Sequence, residues 1–457
     1  MSLVVLGLSG ALTHDPSAAI YVDGKLIAAA EEERFTRQKH AKNDMPLHAS
    51  RYCLREAKLR PKDVDVVAFP YGKVSLLGKA RWHYAKRYWY APERSIDAIF
   101  NGNRHYRRNV KKVQGLLSEL GIEWKDIEFD AVEHHMAHAS SAYHLSGFDG
   151  KVAILGIDGK GEYATTFFGY GENGVIHKVK EFFDPDSLGQ LYASFTEYLG
   201  FEMLDGEYKV MGMAPYGEPK YVDEVWKTVR REGEGNFSLE MDYFTFHRSA
   251  TQSFSDKLVD LLGPSREPES NFFTRTSGYP SYYGDKPPDY EAACKLNEHY
   301  ADIAASIQKV TEELVLDMAR SLHRSTGLDQ LCMAGGVALN SVANGRILKE
   351  SGFKDLYIQP AAGDGGGALG AALYVHNALL KGKRTPVMSH AYWGEEYSAA
   401  EAAEQLREEG AKWEEIDDES KLIARVVERL MAGDVIGWHQ GRFEWGPRAL
   451  GHRSIIG

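Results

Sequence analysis

One pattern occurs twice in this chain and restricts its fold more than any other feature. An apolar run, "LVVLGLSG" at residues 3–10, leads through the turn "ALTHDP" into "SAAIYVDGKLIAAAEEE". From residue 152 the plan returns: "VAILGID", a glycine turn "GKGE", then "YATTFFGYGENGVIHKVKEFF". In each unit the first run reads as a buried strand, and a turn pair, Asp23-Gly24 or Asn173-Gly174, joins the next two runs into a hairpin.

Helical segments fill the intervals. "MPLHASRYCLREAKL" and "YADIAASIQKVTEELVLDMARSLHRSTG" carry apolar residues at helical spacing, the second stopped by Gly327. "LDQLCMAGGVALNSVANGRIL" and "DLYIQPAAGDGGGALGAALYVHNALL" each read as strand, glycine loop, helix, the unit on which α/β proteins bind phosphates. A duplicated strand, turn and hairpin unit with such helices is the plan of the actin and sugar-kinase (ASKHA) superfold, here expected over residues 1–378. After the basic linker "KGKRTPVMSH" the pattern restarts, and residues 388–457 are expected to be an incomplete second α/β domain, near the lower size limit for a core of its own. A length of 457 residues agrees with more than one domain.

Charge and composition exclude several classes. A net charge of −11 argues against nucleic acid as the main partner. The three cysteines, widely spaced, support neither a disulfide framework nor a CxxC site, and no apolar stretch reaches the ~20 residues that span a bilayer. The expectation is a cytoplasmic protein without a membrane partner, with a homodimer left open. Two segments stand out as insertions. Residues 79–112 hold ten Lys or Arg against Glu93 and Asp97, interleaved with Trp and Tyr, which suits single-stranded nucleic acid or helices packed on their own domain. Residues 264–290 read as a long loop.

Several constellations point to chemistry. In "HHMAHASSAY", His134 and His138 are one helical turn apart, so both could face one metal ion, or both could be ordinary surface histidines. Asp158 and Asp364 follow strands in matching contexts, and two imidazoles with two carboxylates suit Fe(II), Zn or Mn. The glycine turns holding Gly159 and Gly161, Gly335 and Gly336, and Gly365 and Gly366 fit backbone cradles for a nucleotide, with Asn340 a candidate for its ribose or base. In "HQGRFEWGPRALGHRS", Arg442, Arg448 and Arg453 read as a clamp for phosphate or carboxylate, since only Glu444 is nearby to pair with them. His14 and Asp15 sit in the first turn, as a general base for an acceptor hydroxyl or as a turn cap. Lys39 and Lys42 offer charge to a phosphate, or sit in solvent.

Taken with "HDPSAA", "AAAEEERFTRQKH", "LDGEYKVMGMAPYG" and "GDGGGALGAAL", these motifs resemble the O-carbamoyltransferase family of nodulation-factor and antibiotic biosynthesis (the NodU/TobZ type) along essentially the whole chain. The resemblance implies an amino-terminal domain similar to the ATPase-fold subunit of the threonylcarbamoyladenosine tRNA-modifying system, followed by the start of a YrdC-like α/β domain. It implies that carbamoyl phosphate and ATP form carbamoyl adenylate, whose carbamoyl group passes to the hydroxyl of a small-molecule acceptor. It further implies His134, His138, Asp158 and Asp364 as ligands of a divalent metal, iron by the family pattern. Gly335, Gly336 and Asn340 would lie along the nucleotide, and Arg442, Arg448 and Arg453 would belong to the adenylation site. The rivals are a kinase of the same superfold and a non-catalytic nucleotide- and metal-binding module acting in tRNA modification.

Overall fold

The computed structural model describes residues 2–10, 14–249, 251–383 and 387–457. Part of the expected first turn, residues 11–13, and part of the basic linker, residues 384–386, lie outside the described residues.

The repeated plan produces two five-stranded sheets. In the first, Val4–Leu8 (β1), Ser17–Val22 (β2) and Lys25–Glu31 (β3) form an antiparallel meander, and β1 continues in parallel to Val66–Phe69 (β4) and Glu128–Ala131 (β5), giving the order β3-β2-β1-β4-β5. The second sheet repeats this with Val152–Ile157 (β6), Ala164–Glu172 (β7), Val175–Phe183 (β8), Gln330–Ala334 (β9) and Asp355–Ile358 (β10), ordered β8-β7-β6-β9-β10. Both hairpins turn where the sequence placed them. Asp23 and Gly24 have φ of 49° and 84°, and Asn173 and Gly174 of 52° and 80°, the positive values a two-residue turn needs to match strand twist. The duplicated ASKHA topology is therefore present in both halves.

Helix Leu47–Glu56 (α1) covers β2 and β3, burying Ala49, Tyr52 and Cys53. His134–Tyr143 (α2) lies on β6 and β9 of the second sheet. The 37-residue helix Tyr290–Thr326 (α3) packs in the second lobe and ends at Gly327, φ 66°. Gly367–Tyr374 (α4) lies on β1, β2 and β4 of the first sheet and against α2. The two sheets thus sandwich α2 and α4, which approach closely because their facing residues are small. A Cβ on Gly370 would sit 2.0 Å from the Ala137 carbonyl oxygen, and one on Gly7 2.0 Å from that of Ala368. Gly370→Val is therefore expected to cost about 1–3 kcal/mol of stability, read as a lower thermal midpoint, because backbone and not a flexible side chain must give way.

The remaining residues form a smaller unit. Tyr392–Glu396 (β11) pairs with Arg442–Glu444 (β13), and Ile436–His439 (β12) with Arg453–Ile456 (β14). Its helices Ala399–Glu408 (α5) and Glu419–Met431 (α6) bury no residue, and Ile423, Val427 and Met431 stand exposed on α6. Residues 264–289 have only the short turn Ser281–Tyr283 as regular structure, as expected for a long loop.

Candidate metal centre and cleft

The i, i+4 spacing on α2 places both imidazoles on one face, and the second sheet delivers both carboxylates: Asp158 leaves the end of β6, and Asp364 follows β10. His134 Nε2 and His138 Nε2 are 3.0 Å apart. Asp158 Oδ2 is 3.2 Å from the first and 3.7 Å from the second, and Asp364 Oδ1 is 3.5 Å from each. Donor atoms held about 2.1 Å from one ion are about 3.0–3.4 Å from each other, so these four fit a shared divalent cation. Both histidines are buried, which removes the surface reading of the pair; a helix held between the second sheet and α4 has no solvent face for them.

The surroundings orient each donor. His134 Nδ1 faces the Pro70 carbonyl at 3.3 Å, directing the Nε2 lone pair into the cluster when Nδ1 carries the proton. The Gly336 N–H donates to Asp158 Oδ1 at 2.8 Å, which turns Oδ2 toward the imidazoles. Burial disfavours charge on both Asp158 and Asp364, yet the neighbouring imidazoles hold both carboxyls well below the usual carboxylate range. Burial likewise opposes charge on His134, and Asp364 and Asp158 overcome it to raise the imidazole above its ordinary value. The quartet attracts positive charge, as protons on nitrogen or as a metal ion in their place. At the amino-terminal end of α2, buried Glu162 accepts the His134 N–H at 3.1 Å, and burial pushes its carboxyl up to about 7.

A second cluster adjoins the first. His14 Nε2 is 4.0 Å from Asp364 Oδ2, and its Nδ1 meets Asp15 Oδ2 at 2.7 Å. The other oxygen, Asp15 Oδ1, meets His40 Nδ1 at 2.6 Å, and His40 Nε2 meets Asp205 Oδ1 at 2.8 Å. Acid and imidazole alternate from the metal-type quartet outward, passing from the first lobe to the second at the His40–Asp205 contact. Burial lowers His14, but Asp15 and Asp364 outweigh it and push it up to about 9. Asp15 is held well below the carboxylate range by the two imidazoles against its burial. With both oxygens engaged, Asp15 is placed to orient His14, and Nε2 is the nitrogen turned toward Asp364.

Sequence reasoning missed His40 and Asp205. Both stood in stretches already noted, "RQKH" and "LDGEYK", but nothing local joins residues 165 positions apart. Burial works against the His40 cation, and Asp15 and Asp205 raise it nonetheless. A raised folded value stabilises fully below the free imidazole value of about 6.5 and is lost as pH rises through the folded value. His40→Gln is accordingly expected to lower the melting temperature most below neutral pH, with the difference from wild type shrinking as the buffer is made alkaline.

The other predicted residues fall in several places. Gly335, φ 89°, allows β9 to pass within contact of β6: a Cβ there would lie 2.3 Å from the Ile157 carbonyl oxygen. A Cβ on Gly161 would meet His134, and one on Gly366 the Ala361 carbonyl. A Cβ on Gly159 would touch only Gln190, and one on Gly365 would face Glu31 and Asp15. Asn340 caps helix Ser341–Glu350, accepting the Ala343 N–H at 3.2 Å and exchanging hydrogen bonds with Gln308, so its amide serves the protein interior. Lys39 is exposed, and Lys42 pairs with Glu202.

The three arginines share no hydrogen-bond or ion-pair partner among the described residues. Arg442 reaches Tyr52 Oη at 2.7 Å and Glu56 at 3.2 Å on α1, and the Gly394 carbonyl at 2.9 Å. Arg453 holds Glu444 at 3.0 Å and the Gly446 carbonyl at 2.7 Å. Arg448 donates to the Leu339 carbonyl at 3.3 Å, beside the second-lobe glycine turn. Arg442 therefore fastens the small unit to the first lobe. Arg442→Ala is expected to loosen that docking by about 1–3 kcal/mol, seen as faster proteolysis between residues 380 and 398.

Residues 4–373 match the family model described as carbamoyltransferase N-terminus, and residues 427–457 the one described as carbamoyltransferase C-terminus. An uncharacterised protein of Synechocystis sp. is 40% identical across 99% of this chain and 71% of its own length. Nodulation protein NolNO of Sinorhizobium fredii is 32% identical across 99% of this chain and 62% of its own length. A 3'-hydroxymethylcephem-O-carbamoyltransferase of Streptomyces clavuligerus is 35% identical across 28% of this chain and 22% of its own length. No helix among the described residues is long and apolar enough to cross a membrane. By sequence over most of its length, the chain belongs to the carbamoyltransferase family.

Proposed function

We propose that the chain is an ATP-dependent O-carbamoyltransferase. Carbamoyl phosphate is hydrolysed by one water to carbamate and phosphate, the carbamate oxygen attacks the α-phosphorus of ATP to give carbamoyl adenylate and pyrophosphate, and the acceptor hydroxyl then displaces AMP to give the carbamate ester. The observation that carries this reading is the juxtaposition of the four-donor cluster with His14, in a chain of this family.

His134, His138, Asp158 and Asp364 would hold a divalent ion, with Fe(II) the species we favour. Such an ion supplies positive charge to phosphate oxygens and improves AMP as a leaving group. With a cation in the quartet neutralising Asp364, whose charge otherwise helps keep His14 protonated, His14 takes the proton from the acceptor hydroxyl at Nε2, and Asp15 holds the opposite nitrogen so that Nε2 is the one presented. The Gly335-Gly336 and Gly365-Gly366 turns are assigned to line the nucleotide phosphates by close backbone approach, since the Gly335, Gly336 and Gly366 amides already donate within the protein. Arg448, beside Leu339, is the arginine best placed to reach the same nucleotide from the carboxyl-terminal unit.

The test supplies synthetic carbamoyl adenylate and a panel of sugar, aminoglycoside and macrolide alcohols. Acceptor-dependent AMP release with a carbamate ester identified by mass spectrometry supports the assignment. Formation of ADP and a phosphorylated acceptor from ATP alone overturns it in favour of a kinase.

A further inference from the structure

The basic aromatic segment between β4 and β5 is not used by the cleft chemistry. It folds into helices Lys79–Arg87 and Pro92–Asn101 and the start of helix Arg104–Leu120. Its inner side is fastened to the second lobe: Tyr84 and Tyr88 pack with Tyr163, and Arg87 pairs with Asp186 at 2.8 Å. Its outer side is apolar where water would be expected. Leu77 is 85% exposed, Trp89 and Phe100 each 78%, and Leu76, Ile96 and Trp82 are more than half exposed. Leu76 and Phe100 line one groove of about 540 Å³ with Lys73, so the loop after β4 and the second helix form a continuous face.

The same helices carry exposed cations, beside the exposed Glu93 and Asp97. Lys79, Lys86, Arg104, Arg107 and Arg108 are exposed, and no ion pair among the described residues engages any of them. In a chain of net charge −11 this is a local surplus, and it selects an anionic partner. Exposed aliphatic residues select something more: nucleic acid offers stacking to Trp and Phe but leaves Leu76, Leu77 and Ile96 in water. A bilayer with anionic headgroups accepts both, taking aromatic and aliphatic side chains to the acyl boundary and cations at the phosphates.

We propose that this face docks peripherally on an anionic lipid surface, without spanning it. The sequence-based expectation of no membrane partner rested on spanning length, which peripheral binding does not require. The face lies close to the cleft. Gly72, just before Lys73, donates its N–H to Glu162, which also accepts the His134 N–H. Docking there would bring the cleft to alcohols carried in or on the bilayer, and the inference stands independently of the reaction assigned above.

The experiment is co-sedimentation of the whole chain with phosphatidylcholine vesicles, with and without phosphatidylglycerol, at low and high salt. Binding only to the phosphatidylglycerol vesicles, weakened by salt, is expected. Trp89→Ser with Phe100→Ser should lower it about tenfold, and Lys86→Glu with Arg104→Glu by a similar factor, with melting temperature and metal content unchanged. Absence of binding to either vesicle overturns the proposal. So does self-association that the Trp89/Phe100 variant abolishes, or capture of RNA in preference to vesicles.

Discussion

His138→Ala and Asp364→Asn, purified anaerobically beside the wild-type chain, are expected to carry background levels of iron, zinc and manganese where the wild type carries about one divalent ion. Loss of a partner outside the ligand set already costs about 10–100-fold in metal affinity, so removal of a donor from a four-atom cluster costs at least as much. Asp364 presents Oδ1 at 3.5 Å from both imidazole nitrogens, so its loss opens the cluster toward His14 as well. A second readout separates metal loss from misfolding. Chelation should lower the wild-type melting temperature, because an ion at 100 times its dissociation constant contributes about 2.7 kcal/mol, and should leave the variants unmoved. Metal content equal in wild type and variants would sink the four-donor assignment.

The next largest effect is expected at His14. His14→Asn should reduce carbamoyl transfer by about 10²–10⁴-fold at saturating acceptor, the range of a lost general base. Asp15→Asn should approach the same loss, since its amide cannot accept protons from two imidazoles at once and turns His14 toward the wrong tautomer. Asp205→Asn, two hydrogen bonds farther out, should lower kcat by about tenfold with KM for the carbamoyl donor unchanged and metal retained. A KM effect in place of a kcat effect would show that Asp205 serves binding and not the alignment of Asp15.

The metal-type quartet was legible because each member carries a local signal. The histidines show helical spacing, and each aspartate follows an apolar strand at the point where such sheets place their ligands. Asn340 also carried a local signal, as the cap of a following helix, but the nearby glycines suggested a nucleotide role first. The arginine motif showed only part of its surroundings. Only Glu444 was available within it, whereas Tyr52 and Glu56, nearly 400 residues away, occupy Arg442. In the basic segment the spacing of aromatics could not separate Tyr84 and Tyr88, which pack inward, from Trp89 and Phe100, which do not.

By itself the sequence determined what depends on neighbours along the chain: the strands, the two hairpins with their positive-φ turn pairs, the stop at Gly327, and the i, i+4 histidines. These follow from backbone sterics and periodicity, which act over a few residues. Only the tertiary structure decided which face of α2 is buried, that Asp15 is held between two imidazoles, and that His40 finds Asp205 across the cleft. Those contacts join lobes whose residues lie far apart in sequence, and their energies arise only after the two sheets have closed on α2 and α4, where burial strengthens each charge interaction.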